Sequence, residues 1–232
     1  MNDCKTMNGL KTKDNLKTYI FDLDGTLLNT LDDLAASCNF ALASFALPTH
    51  TLDEVRMFVG DGVRMLMRRA VPQGEAHPDF ERILQTFREH YLRHGQDHTA
   101  PYPGIVAMLG RLRGMGKKIA VVSNKFDGAT KQLCDHYFPG LIDVAIGERE
   151  GIRRKPAPDT VLEVMRLLDV APDDCVYVGD SDTDIMTARN ASLPCISVTW
   201  GFRSPQFLLD HGATTLISSP EEILEHRNNV IT

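Results

Sequence analysis

Five short apolar runs, each ended by small or acidic residues, constrain this chain more than any other feature. They are TYIFD (18–22), KIAVVS (118–123), IDVAIG (142–147), CVYVGD (175–180) and CISVTW (195–200). Each has the length of a buried strand and is short for a helix. Between the later runs lie stretches with apolar residues three and four apart. In 159–170, Val161, Val164, Met165 and Leu168 share one face; in 182–192, Asp182 or Thr183 can open the first turn by capping or charging it. Strands that alternate with helices imply βαβ units, a mostly parallel sheet covered on both faces, and right-handed crossovers.

One stretch breaks the alternation. From about Thr30 to His98 there are helical patterns at 31–47, around 51–59, at 62–71 and at 80–95, and no convincing strand. Pro-Tyr-Pro-Gly at 101–104 then punctuates the return to the sheet. The expected fold is therefore α/β, a Rossmann-like parallel-sheet core with an inserted helical cap domain. Residues 1–29 and 99–232 make the core, with 1–16 a loose polar arm, and residues 30–98 make the cap.

Charge narrows the function classes. Lys plus Arg number 25 against 31 Asp plus Glu, a net charge of -6. Counterion release on nucleic acid needs a basic surface, so no nucleic-acid partner is expected, although a small anionic substrate remains open. No apolar stretch approaches membrane-spanning length, and the first residues lack the apolar segment of a signal peptide, so no membrane partner is expected. The five cysteines are widely spaced and form no CxxC pair, which reads as reduced thiols in a cytoplasmic protein. A monomer or a homodimer is expected.

The chemistry gathers at the strand ends. Asp22 and Asp24 stand two residues apart where the first run meets a Gly-Thr turn. Alone they could simply end a strand and cap that turn. A second acidic cluster, Asp180 to Asp184, follows another apolar run, and in a parallel sheet both strand ends face the same edge. Carboxylates crowded together need a counter-charge, and a hard divalent ion with oxygen ligands supplies it; Mg²⁺ is the expected cofactor. Ser123-Asn124 offers a hydroxyl and backbone N–H groups after a third run, and Lys155 is held between stiff Pro-flanked residues before a helix.

DLDGT at 22–26, SN at 123–124, Lys155 before PAPD and GDSDTD at 179–184 together resemble the haloacid-dehalogenase-like hydrolase superfamily, most of all its phosphoglycolate phosphatase branch. The resemblance implies that Asp22 attacks phosphorus and forms an aspartyl-phosphate. It implies that Asp24 is the general acid toward the leaving alkoxide and then the base for water. Asp22, Asp180 and the backbone carbonyl of Asp24 would hold Mg²⁺, with Asp184 behind them or joined through water. Ser123 and Lys155 would bind the phosphoryl oxygens, with Thr26 and Asn124 beside them at the substrate. Haloacid dehalogenases lack the second carboxylate, which this chain has in Asp24, and phosphonatases use a cap lysine, whereas 31–97 contains none.

Within the cap, Phe58-Val59-Gly60-Asp61-Gly62 resembles the turn that meets the core over the substrate. Gly60, Asp61, Gly62 and Arg64 are expected at the substrate, and one of Arg56, Arg64, Arg68 and Arg69 could pair with a substrate carboxylate. His90, His94 and His98 have helical spacing but approach a loop and read as a solvated stripe; Trp200-Gly201-Phe202-Arg203 reads mainly as packing. The expected substrate is a small phosphorylated metabolite, 2-phosphoglycolate first. A phosphosugar mutase of the β-phosphoglucomutase kind, an inorganic pyrophosphatase and a non-catalytic binding module share enough of these features to stay open.

Overall fold

The computed structural model describes residues 16–225. The expected N-terminal arm lies outside the described residues, except for Leu16, which is buried. The chain enters through β1 (Thr18–Phe21) and turns into β2 (Leu28–Asn29). Helices α1 (Leu31–Ser44), α2 (Leu52–Phe58), α3 (Val63–Ala70) and α4 (Phe80–His94) follow, and β3 (Ala100–Pro101) brings the chain back. Then come α5 (Ile105–Gly114), β4 (Lys118–Phe126), α6 (Asp127–Tyr137), β5 (Val144–Glu148) and α7 (Asp159–Leu168). The last elements are β6 (Cys175–Gly179), α8 (Asp182–Asn190), β7 (Cys195–Val198), α9 (Pro205–Asp210), β8 (Leu216–Ile217) and α10 (Glu221–Glu225).

Six strands form one sheet in the order β5-β4-β1-β6-β7-β8, and every pairing is parallel. The α/β architecture expected from the alternating pattern is the one observed. Successive side chains of a strand point to opposite faces, and β1 shows what that does. Tyr19 and Phe21 join the apolar layer with Ile105, Leu109 and Leu112 of α5, whereas Ile20 joins Val161 and Val164 of α7 and Ala188 of α8 on the other face. Both faces are thus sealed, which leaves the strand ends as the accessible edge.

The helices between β2 and β3 have an apolar cluster of their own. Leu34, Cys38 and Leu42 of α1 pack with Val55, Leu66, Met67, Ile83 and Phe87, and Phe202 from the loop after β7 enters the same cluster. Thr51 and Glu54 form a capping box that fixes the start of α2. The two crossing segments, β2 and β3, pair antiparallel, Leu28 with Pro101 and Asn29 with Ala100. Among the described residues, no helix is long and apolar enough to cross a membrane.

Three strand limits differ from the sequence reading by two residues or more. β4 continues past Ser123 to Phe126, with an irregularity after Val122, so Asn124 and Lys125 are strand residues. β5 starts at Val144 because Asp143 turns its carboxylate back to accept from Ile119 N at 2.8 Å. β7 stops at Val198, and Trp200 in the following loop donates from Nε1 to Thr26 O at 3.0 Å.

Candidate active site

β4, β1 and β6 are neighbours, so their carboxyl ends deliver Ser123, Asp22 and Asp180 to one edge. Asp22 still belongs to the ladder through its N–H to Val178 O at 2.9 Å, and Oδ1 accepts from Leu23 N at 2.7 Å. The chain then reverses at Gly25, whose φ of +85° suits glycine; a Cβ there would lie 2.4 Å from Asp180 Oδ2. Gly201 makes the matching clearance from the other side, since its Cβ would fall 2.3 Å from Asp180 Cβ. Asp180 is held in the gap by Thr26 Oγ1 at 3.2 Å and Phe202 N at 2.7 Å.

Lys155 reaches this cluster from the segment before α7. Its buried Nζ lies 2.8 Å from Asp22 Oδ1, 2.8 Å from Asp184 Oδ1 and 3.1 Å from Tyr177 Oη. Both oxygens of Asp184 are already engaged: Oδ1 also accepts from Tyr177 Oη at 3.0 Å, and Oδ2 accepts from Ser181 Oγ at 2.6 Å and from the N–H groups of Asp180 and Ser181. Asp184 therefore positions Lys155 and the turn that carries Asp180.

The charges do not balance within the protein. Burial raises the Asp22 carboxyl well above its ordinary range, Asp184 and Asp180 push it further, and Lys155 only partly opposes them. Burial and Asp184 push Asp180 up to about 7, against the Phe202 N–H, Arg203 and Thr26. Lys155 is raised although burial opposes it, because Asp184 and Asp22 outweigh that cost. Carboxylate oxygens of Asp22, Asp180 and Asp184 lie within 4.8 Å of one another. An all-oxygen set short of positive charge, with room kept open by Gly25 and Gly201, suits a hard divalent cation, with Asp22 and Asp180 facing it.

Asp24 points elsewhere. Its Oδ1 accepts from Thr30 Oγ1 at 2.6 Å and lies 3.1 Å from Lys125 Nζ, so its carboxylate stands apart from the acidic cluster. Asp24 and Asp22 line a cavity with Ser123, Asn124 and Lys125, and the facing wall is Leu34, Val59, Gly60, Gly62, Val63 and Leu66. Asn124 Nδ2 donates to Gly60 O and to Lys155 O, both at 3.1 Å, tying the turn after α2 to the strand end.

Three residues expected at the substrate are placed otherwise. Arg64 pairs with Glu81 at 2.6 Å and Glu75 at 3.2 Å and lies over the Phe80 ring, so it closes the helical unit on itself and is absent from the cavity wall. Asp61 accepts from Thr183 Oγ1 at 3.0 Å and pairs with Arg69, which seats the turn on α8. Thr26 is fully buried, and its hydroxyl serves Asp180. The histidines likewise have separate partners: His90 meets Ser37, His94 meets Asp97 and His98 meets Asp33.

Sequence reasoning missed Lys125, Tyr91, Tyr177 and Arg203. Lys125 did carry a signal, a charged residue directly after Ser-Asn at a strand end. Arg203 donates to Arg56 O at 2.7 Å and Val59 O at 2.6 Å, at the carbonyl end of α2. The segment 200–203 therefore does more than pack: it clears Asp180, holds it, and fastens the helical unit.

A carboxylate held by a buried lysine beside a cation-seeking cluster can attack an electrophilic centre while the positive groups gather the negative charge, and that is the chemistry of a hydrolase. The chain belongs to the haloacid dehalogenase-like hydrolase family, whose model matches residues 19–198. It is 32% identical over 220 residues to Phosphoglycolate phosphatase 1 of Pseudomonas aeruginosa, covering 90% of this chain and 78% of that protein. It is also 32% identical over 188 residues to the phosphoglycolate phosphatase of Aquifex aeolicus, covering 81% and 86% of the two chains. A crystal structure from Lactobacillus delbrueckii subsp. bulgaricus, described as a candidate phosphoglycolate phosphatase, superposes with a TM-score of 0.89 at 38% identity, covering 93% of this chain and 99% of that one.

Proposed function

We propose that this hydrolase is a Mg²⁺-dependent phosphatase that cleaves a small phosphomonoester, 2-phosphoglycolate, through an aspartyl-phosphate on Asp22. The observation that carries the reading is the division of labour between the two carboxylates of one strand end. Asp22 sits with Lys155 and the acidic cluster, whereas Asp24 sits apart on the cavity wall beside Thr30 and Lys125. In this reading one is the nucleophile and the other the acid and base.

Leu23 N and Lys155 Nζ both hold Asp22 Oδ1, which leaves Oδ2 to attack phosphorus. Asp24 gives a proton to the leaving oxygen and then takes one from the water that cleaves the acyl phosphate. Ser123 and Lys155 bind the phosphoryl oxygens, and the buried set Asp184, Tyr177 and Lys155 keeps the ammonium in place. When bound between Asp22, Asp180 and the Asp24 carbonyl, Mg²⁺ supplies positive charge that offsets the carboxylates and the phosphoryl group. Leu34, Val59, Val63 and Leu66 give the leaving-group side of the cavity an apolar wall. The names of the relatives favour 2-phosphoglycolate. The proposed enzyme is a cytoplasmic monomer or homodimer.

The test is phosphate release, compared as kcat/KM, from 2-phosphoglycolate, β-glucose 1-phosphate, pyrophosphate and other sugar phosphates, with Mg²⁺ and with EDTA. A Mg²⁺-dependent lead for 2-phosphoglycolate is expected. A lead for pyrophosphate, or conversion of β-glucose 1-phosphate without release, contradicts the reading.

A further inference from the structure

Lys125 is the only cation on the cavity wall among the described residues, and the scheme above gives it no task. It is 6% exposed. Its Nζ lies 3.1 Å from Asp24 Oδ1 and 2.9 Å from Tyr91 Oη of α4, with the Tyr91 ring centroid 4.6 Å away. An ammonium has three protons, and here it has two oxygen partners. A buried lysine costs stability unless it is paired, so a cation kept here needs a reason.

The arginines nearby are committed elsewhere. Arg56 pairs with Asp53, Arg64 with Glu75 and Glu81, and Arg69 with Asp61, while Arg203 donates to two carbonyls. None of them lines the cavity. Among the described residues, Lys125 is thus the cation that the cavity wall itself presents to a charge carried by the leaving group.

We propose that Lys125, steadied by Tyr91, is the specificity-determining residue: its ammonium binds the carboxylate of the leaving group and selects phosphomonoesters with an anion two bonds from the bridging oxygen. The inference rests on the proposed phosphatase reading, in which Asp24 meets that bridging oxygen. A cation against the same Asp24 oxygen lies beside the first carbons of the leaving group. As the acid, Asp24 carries its proton when the substrate binds, and an ammonium on a wall shared with Leu34, Val59 and Leu66 then needs another anion. A substrate carboxylate supplies it, and a neutral leaving group leaves the charge unpaired. Sites built around a buried polar group reject the analogue that lacks its partner.

The experiment compares 2-phosphoglycolate with ethyl phosphate, which lacks the carboxylate, and with phosphoethanolamine, which places a cation there. For the wild type, kcat/KM should fall in that order. In Lys125→Met the ratio of kcat/KM for 2-phosphoglycolate over ethyl phosphate should drop roughly 30-fold or more, mainly through KM, as expected for a lost charge-assisted bond. Lys125→Arg should restore part of the ratio, and Tyr91→Phe should lower it several-fold. Equal losses on both substrates, confined to kcat, would mean that Lys125 serves only Asp24, and would overturn the proposal. Should Lys125→Met fail to fold, the wild-type order and Tyr91→Phe decide: an unchanged ratio in Tyr91→Phe, or equal wild-type use of ethyl phosphate, also overturns it. Wild-type enzyme inactive on all three defeats the phosphatase reading itself, an outcome distinct from a flat preference.

Discussion

Asp33→Ala tests how the returning chain is pinned beside the site. Asp33 is 1% exposed in the first turn of α1, yet its partners come from the segment after α4. Thr99 donates to Oδ2 from N and from Oγ1, both at 2.8 Å; His98 N donates at 3.0 Å to Oδ1 and 3.1 Å to Oδ2, and the His98 ring pairs with Oδ1 at 3.0 Å. Alanine removes all of these at once, but the losses are unequal. His98 is exposed and can turn to water, and the Thr99 hydroxyl keeps Gly95 O at 3.0 Å. The Thr99 N–H is buried and is left without a partner, which with the lost charged acceptor costs ~3 kcal/mol. At about 2–4 °C per kcal/mol for a chain of this length, Tm should fall by roughly 6–12 °C.

The pH dependence gives the same substitution a second reading. Burial raises the Asp33 carboxyl, but the Thr99 and His98 hydrogen bonds outweigh it, and the net shift is downward. A lowered carboxyl contributes stability that is fully present above the unfolded value near ~4 and is lost as pH falls through the lower folded value. Urea and thermal unfolding of wild type and Asp33→Ala should therefore differ most at pH 7 and converge in strong acid. A gap under about 0.5 kcal/mol at pH 7, within the usual scatter of surface substitutions, would refute the reasoning. So would an equal gap at every pH.

Two other perturbations probe the site. Arg203→Met removes two bonds from a charged donor to the carbonyl end of α2, each about 1.5–3 kcal/mol at most, so the helical unit should seat less firmly and KM should rise at least tenfold; steady-state kinetics with unchanged KM would contradict the latch. The raised Asp22 and Asp180 carboxyls contribute stability that is present below the ordinary carboxylate value and lost as pH rises toward and through about 7, where Asp180 titrates. The metal-free protein in EDTA should therefore lose stability as pH rises from about 4 through about 7, and excess Mg²⁺ should remove most of that loss; identical calorimetric slopes with and without the ion would count against the metal site.

The sheet was legible because buried parallel strands leave continuous apolar runs, and 18–22, 118–123 and 175–180 overlap three adjacent strands. Strands β2, β3 and β8 have two residues each and carry no periodicity to read. Asp22, Asp24 and Asp180 stood out because several acids at one sheet edge are costly without a purpose. Lys125 was hidden because its partners lie 101 and 34 residues away, Asp24 before the helical insertion and Tyr91 inside it. Arg64 misled for the complementary reason. A helix pattern shows that an arginine lies near a turn, but not that Glu75 and Glu81 fold over to claim it. Contacts between distant segments decided both residues: local pattern marks Lys125 as a charge after Ser-Asn and Arg64 as a charge near a turn, but not the partners of either.

The central claim is that Asp22 becomes phosphorylated. Wild-type enzyme mixed with 2-phosphoglycolate and Mg²⁺ should be quenched within one turnover, reduced with borohydride, digested and read by mass spectrometry. Borohydride should convert the acyl phosphate to an alcohol at Asp22, Asp22→Asn should show no such mark, and EDTA should abolish it. Phosphate release from active enzyme without any mark on the Asp22 peptide, or with undiminished turnover in Asp22→Asn, would contradict it.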